Sequence, residues 1–115
     1  MTTDPNCLFC KFSTGEISVP KIFENDHLFA INDIAPQAPT HILIIPKGHN
    51  ESAAETALQR PGVMDALFMA VADIAQELGI SDYRTVFNTG AEAGQSVFHT
   101  HLHLLAGRAF AWPPG

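Results

Sequence analysis

The sequence predicts an α+β domain: a five-stranded antiparallel meander sheet with one long helix and a short N-terminal helix. Three observations carry this expectation. Short apolar runs bounded by proline, glycine or Asn/Asp recur along the chain, as strands and turns require. One stretch, Val63, Leu67, Val71, Ile74 and Leu78, steps by three or four, the spacing of an amphipathic helix. A chain of 115 residues can bury one core but not two, so residues 1–115 read as a single domain.

Taken in order, Cys7 to Gly15 sets Leu8, Phe9 and Phe12 on one side of a short helix ended by Gly15, suited to act as a lid. Ile22-Phe23 and Leu28 to Ile31 flank the polar Glu24-Asn25-Asp26-His27, the pattern of a hairpin between Ile22 and Ile34. Ala35 to Pro39 cannot continue a central strand, because its prolines lack the ladder donor. A largely buried third strand follows from Thr40 to Ile45 and is ended by Pro46-Lys47-Gly48-His49. Pro61-Gly62 marks the entry of the long helix, Gly62 to Leu78, and Gly79 its exit. Tyr83 to Asn88 reads as a fourth strand and Val97 to Leu105 as a fifth, joined by the small-residue loop Thr89 to Ser96. The tail from Ala111 has no regular element to join, and Trp112 beside two prolines is expected to dock on a surface.

Composition narrows the function. The net charge is −6, and only six Lys and Arg residues are present, scattered along the chain. Neutralising a nucleic-acid backbone or an anionic lipid surface needs clustered cations, so neither is an expected partner. No apolar stretch approaches the roughly 20 residues that span a bilayer. The stretch Met1 to Asn6 has no basic region and no following apolar block, so a cytoplasmic location is expected. Any bound phosphate would be held by backbone N–H groups, hydroxyls, amides and imidazoles. The two cysteines, Cys7 and Cys10, form a Cys-x-x-Cys pair that points to metal or redox work in a reducing compartment.

Side chains alternate along a strand, so His99, His101 and His103 would share one face while Phe98, Thr100, Leu102 and Leu104 fill the other. Taken alone, the strand is open to two other readings: a half-exposed strand with incidental histidines, and a three-histidine metal site. The adjoining loop argues for an oxyanion. Gly90, Gly94 and Ser96, with Asn88 just before, offer flexible backbone N–H groups, a hydroxyl and an amide where a phosphate could sit.

At this point the chain resembles the histidine-triad (HIT) family, whose motif is His-φ-His-φ-His-φ-φ with φ apolar. Here it is His99-Thr100-His101-Leu102-His103-Leu104-Leu105, with Thr100 a mild departure. The resemblance extends through Cys7-Leu8-Phe9-Cys10, Ile31-Asn32-Asp33-Ile34, Pro36 to His41, Ile45 to His49, Gly94-Gln95-Ser96-Val97 and Trp112-Pro113-Pro114-Gly115. The last two segments are similar to the Hint branch, which hydrolyses purine nucleoside phosphoramidates. The resemblance implies that His101 is the nucleophile attacking the α-phosphorus, that His103 contacts phosphate and leaving group, and that His41 orients His101. A neutral imidazole is a competent nucleophile near neutral pH, and its adduct is labile to water. It further implies that Asn88, Gly94 and Ser96 bind phosphate, that Asp33, with Ile34 beside it, accepts the ribose hydroxyls, and that Leu8, Phe9, Phe12 and Ile31 form the purine pocket. Asn32 stands where some relatives carry histidine, which leaves base preference open.

A Cys-x-x-Cys pair is half of a tetrahedral site. The resemblance supplies the other half, His49 and His99, and implies a structural zinc on Cys7, Cys10, His49 and His99; two reduced thiols packed as apolar residues are the alternative. It also implies a homodimer with the sheet continued across subunits. Other functions compatible with the sequence are hydrolysis of dinucleoside polyphosphates, non-catalytic nucleotide binding or scaffolding, and a zinc-centred redox module.

Overall fold

The computed structural model describes residues 2–115; Met1, the first residue of the polar N-terminal stretch and of the single-domain span, lies outside the described residues. Helix α1 (Leu8–Thr14) precedes a hairpin of β1 (Phe23–Glu24) and β2 (Leu28–Asn32). Strand β3 (Thr40–Pro46) leads into α2 (Ala53–Gln59) and α3 (Pro61–Glu77), and the chain closes with β4 (Tyr83–Val86) and β5 (Leu102–Ala106). The architecture is α+β, a five-stranded antiparallel sheet with three helices. Among the described residues no helix is long and apolar enough to cross a membrane.

Local chemistry explains the ends of the elements. Cys7 caps α1, its sulfur accepting the Cys10 N–H at 3.4 Å, and Gly15 stops the helix in the left-handed region at φ 82°. In the hairpin turn Asn25 Oδ1 accepts the N–H groups of both His27 and Leu28 at 2.8 Å, an Asx turn. Proline opens α3 at its first position, where a missing N–H costs nothing.

The sheet order is β1-β2-β3-β5-β4, which corrects the expected meander. Strand β5 lies between β3 and β4, and the α2–α3 excursion returns the chain one strand beyond its neighbour. Burial accounts for this order: Leu102, Leu104 and Ala106 of β5 are fully buried, as an inner strand requires, whereas β4 is half-exposed and suits an edge.

The two faces of the sheet carry separate cores. On one, Leu28, Ala30, Ile42, Ile44, Leu102 and Leu104 pack against Leu67, Ala70, Val71 and Ile74 of α3. On the other, Phe29, Ile31, Leu43 and Ile45 pack against Phe9 of α1. Both faces of β3 are therefore covered, which explains its unbroken apolar run. Leu78, expected on the buried stripe of α3, is 55% exposed because it caps the helix. Helix α2 was not expected. Its start is a Ser52-x-x-Glu55 capping signal, with Ser52 Oγ accepting the Glu55 N–H at 3.2 Å. Trp112 is 83% exposed, so the expected docking does not occur within one chain; the tail is tied instead by Arg84, which donates to the Ala111 carbonyl at 3.2 Å.

Candidate functional site

On the α1 face a cavity of about 280 Å³ is lined by Leu8, Phe9, Phe12 and Val19 on one side and Ile31, Asn32, Asp33, Ile34 and Leu43 on another, with Ser96, Val97, His101 and His103 completing it. The lining is mostly apolar, with a carboxylate, an amide, a hydroxyl and two imidazoles among it. That is the composition expected of a pocket for a flat apolar group joined to a polar one. Nine residues singled out from the sequence meet here: Leu8, Phe9, Phe12, Ile31, Asp33, Ile34, Ser96, His101 and His103. Val19 and Leu43 were missed; Leu43 was legible only as a buried strand residue.

The histidines differ in which ring nitrogen is already engaged. His101 Nδ1 lies 2.7 Å from the His99 carbonyl, an acceptor only, so Nδ1 carries the proton and Nε2 keeps its lone pair. The ring stands edge-on to Phe9 at 5.1 Å. His41 Nδ1 accepts the Gln37 N–H at 3.0 Å, which places the His41 proton on Nε2, 2.8 Å from His103 Nδ1. His103 is then an acceptor at Nδ1 and a donor at Nε2, and that Nε2 is buried with no partner among the described residues. An unpaired donor at the wall of a cavity is a costly feature unless a ligand answers it.

Strand register makes the His41–His103 contact. Leu43 pairs with His103 and His41 with Leu105, so the two histidines are diagonal neighbours on one face. Asp33 Oδ2 faces His41 Nε2 at 3.5 Å, and Asp33 Oδ1 accepts the Ala35 N–H at 2.8 Å. Burial pulls His103 down to about 4, helped by the neighbouring His101 and His41 and opposed by Asp33. Burial also lowers His41 and His101, again against the pull of Asp33. All three are neutral at pH 7. Asp33, His41 and His103 converge closely, but the 2.8 Å imidazole contact is a hydrogen bond rather than two ligands of one ion.

A second cluster lies beside the first. Cys7, Cys10, His49 and His99 bring one ligand atom each to within 4.8 Å of one another. His49 Nδ1 and His99 Nδ1 are 3.2 Å apart, and the sulfur-to-nitrogen distances are 3.4 Å (Cys7–His99), 3.4 Å (Cys10–His49) and 3.5 Å (Cys10–His99). For a tetrahedron with Zn–N of about 2.0–2.1 Å and Zn–S of about 2.3 Å, the edges come to about 3.3 and 3.6 Å. The donor set fits, and the four residues could hold a metal such as zinc. His99 is oriented for it: its Nε2 donates to the Pro46 carbonyl at 2.6 Å, leaving the Nδ1 lone pair toward the cluster. Burial pushes the Cys10 thiol up to about 11, so a thiolate there calls for a cation beside it.

The HIT domain family profile matches residues 14–110. The chain belongs to the HIT family. An uncharacterized HIT-like protein of Synechococcus elongatus is 43% identical over 109 residues, 94% of this chain and 96% of its own length. The crystal structure of a HIT family hydrolase from Legionella pneumophila Philadelphia 1 superposes with a TM-score of 0.90 at 45% identity, covering 96% of this chain and 100% of that one. A histidine triad protein from Clostridium difficile gives a TM-score of 0.90 at 35% identity, covering 96% and 97%.

Within this HIT domain one expectation requires correction. The triad does not lie on one strand: β5 begins at Leu102, and only His103 belongs to the sheet. His99 and His101 sit in the turn before it, which directs His99 to the cysteines and His101 to the cavity. Phe98, expected on the buried face, is 47% exposed for the same reason. His41 bonds to His103, and His101 is held by the His99 carbonyl. In the small-residue loop three N–H groups are spent within the loop. Gly94 N–H donates to Ala91 O at 3.0 Å, Gln95 N–H to Gly90 O at 3.1 Å and Gly90 N–H to the Gln95 side chain at 2.9 Å. Gln95, a buried residue not singled out from the sequence, folds the loop and ties it to Glu51. Asn88 lies 3.7 Å from where a Gly94 side chain would start, and neither lines the cavity; Ser96 is the loop's contribution to its wall.

Proposed function

We propose that the chain is a hydrolase of purine nucleoside phosphoramidates, of the Hint branch, acting through a nucleotidyl-His101 intermediate. The observation that carries this reading is the tautomer of His101: with Nδ1–H given to the His99 carbonyl, an Nε2 lone pair stands at the wall of the cavity. That nitrogen attacks the α-phosphorus and the P–N bond to the amine breaks; water then attacks the phosphorus and His101 is released. The departing amine must gain a proton, and the unpaired His103 Nε2–H is a donor at the same wall, which favours an amine over a polyphosphate leaving group. His41 acts through His103. The base fills the space between Phe9, Phe12 and Ile31, Asp33 accepts the ribose hydroxyls, and Ser96, with Asn88 and Gly94 behind it, serves the phosphate.

The Cys7, Cys10, His49 and His99 set holds a structural zinc, since a closed four-ligand shell leaves no position for substrate. It would tie α1 to the turn that carries His101. The protein works as a homodimer, the edge strand and Trp112 being the surfaces that need cover.

Intact-mass measurement during brief turnover of an AMP–amine conjugate tests the reading. The wild type gains one nucleotidyl group and His101→Ala gains none. An adduct that persists in His101→Ala overturns the assignment, and faster turnover of a diadenosine polyphosphate in a parallel assay moves the chain to the rival branch.

A further inference from the structure

Thr100 is the one triad position that departs from the apolar pattern, and it is buried, at 2% exposure. Its hydroxyl lies 2.7 Å from that of Thr56 in α2, which is fully buried. Thr56 Oγ1 lies in donating reach of the Ser52 carbonyl at 3.0 Å and Thr100 Oγ1 of the Asn50 carbonyl at 3.2 Å, and one of the two hydroxyls donates to the other. The Thr100 N–H donates to the Asn50 carbonyl at 2.9 Å. Asn50 is itself buried and fully engaged: it accepts from Arg60 and donates to Glu55 and Gln59. The turn before β5 is thus clamped at two atoms of Thr100, the hydroxyl to Thr56 of α2 and the N–H to Asn50 in the segment before it. His99, whose carbonyl holds the His101 proton, stands on one side of the clamp and His101 on the other.

We propose that Thr100 and Thr56 are positioning residues whose hydroxyl pair fixes the His99 carbonyl against His101 Nδ1, and so selects the tautomer that leaves Nε2 free. The proposal rests on the hydrolase reading for its consequence in turnover and not for its geometry. Loss of the Thr100 hydroxyl leaves the turn held only by the Thr100 N–H to Asn50 bond, and a misplacement of about 1 Å at a reacting group costs about a hundredfold in rate. The base and ribose walls come largely from α1, β2 and the residues after β2, so KM changes less than the rate.

Valine keeps the shape of threonine without the hydroxyl, and serine keeps the hydroxyl without the methyl. Histidine-ring ¹⁵N spectra of the full chain are recorded for wild type, Thr100→Val, Thr100→Ser and Thr56→Val, alongside the nucleotidylation rate and KM for an AMP–amine conjugate. In the wild type His101 gives one protonated Nδ1 and one unprotonated Nε2. Thr100→Val mixes the two and slows nucleotidylation by about tenfold or more with little change in KM; Thr100→Ser retains the wild-type pattern and rate. Thr56→Val, which removes no atom from the turn, shows the same mixing as Thr100→Val and serves if Thr100→Val does not fold. A wild-type His101 tautomer in Thr100→Val or Thr56→Val overturns the proposal, as does failure of Thr100→Ser to restore it. A wild type that forms no adduct overturns the hydrolase reading instead, and the spectra still decide the clamp.

Discussion

Burial of the histidines makes the fold sensitive to mild acid. His103 titrates near 4 in the folded chain against an ordinary 6.5. As pH falls through 6.5 the unfolded chain takes up the proton first, so the stability that neutral His103 contributes is complete above pH 6.5 and is lost toward pH 4. Between pH 7 and 5.5 these two values give a loss of about 1.2 kcal/mol. Solvent screening of a partly exposed ring reduces this to about 1 kcal/mol. For a domain of this size that lowers Tm by about 4 °C. His41 and His101 are shifted in the same direction and steepen the fall, while carboxylates contribute little in this window. Thermal unfolding of wild type and His103→Gln at pH 7.0, 6.5, 6.0 and 5.5, both zinc-loaded, isolates the effect, because any proton-driven loss of metal is common to the two. The wild type loses about 4 °C more than the variant across the series. Parallel pH profiles for the two proteins would show that His103 is not buried as a neutral group, and the tautomer argument built on it would fall.

Two further outcomes follow from the site. Chelation should lower Tm by about 10 °C, since free zinc at a hundred times its Kd stabilises by about 2.7 kcal/mol; zinc restores it in the wild type and not in Cys7→Ser, and a chelated protein that melts unchanged would remove the metal from the account. Deleting Trp112 to Gly115 should leave Tm within about 2 °C, given the exposure of Trp112, while changing the order of preference in a panel of leaving groups; an unaltered panel with a lower Tm would show that the tail serves the fold alone.

The parts of the fold legible in the sequence are those with local causes. The α3 stripe, the hairpin turn at Asn25 and the glycine stop at Gly15 each follow from residues within a few positions of one another. Helix α2 had a local signal as well, Ser52-x-x-Glu55, but its seven residues bury little besides Thr56 and carry no apolar stripe. The sheet order had none. Whether β5 pairs with β3 depends on burial of Leu102 and Leu104 against α3, a contact between segments about thirty residues apart. The cavity was legible because its walls were named by resemblance, not by pattern: Ile31 and Asp33 come from β2 and the residue after it, Phe9 from α1, and only the fold brings them together.

Period-two alternation correctly placed His103 opposite Leu102 and Leu104, yet it could not divide the labour among the histidines. Each imidazole's use is set by what holds its other nitrogen. The Pro46 carbonyl takes the Nε2–H of His99 and turns its Nδ1 toward the cysteines. The His99 carbonyl takes the Nδ1–H of His101 and leaves its Nε2 lone pair free. His41 occupies Nδ1 of His103 and leaves its Nε2–H as a donor. Two of these partners are backbone carbonyls, which any residue supplies, so no motif can record them. A substitution that keeps all three histidines but shifts either carbonyl would therefore preserve the motif while turning the free nitrogen of either His99 or His101 away from its place.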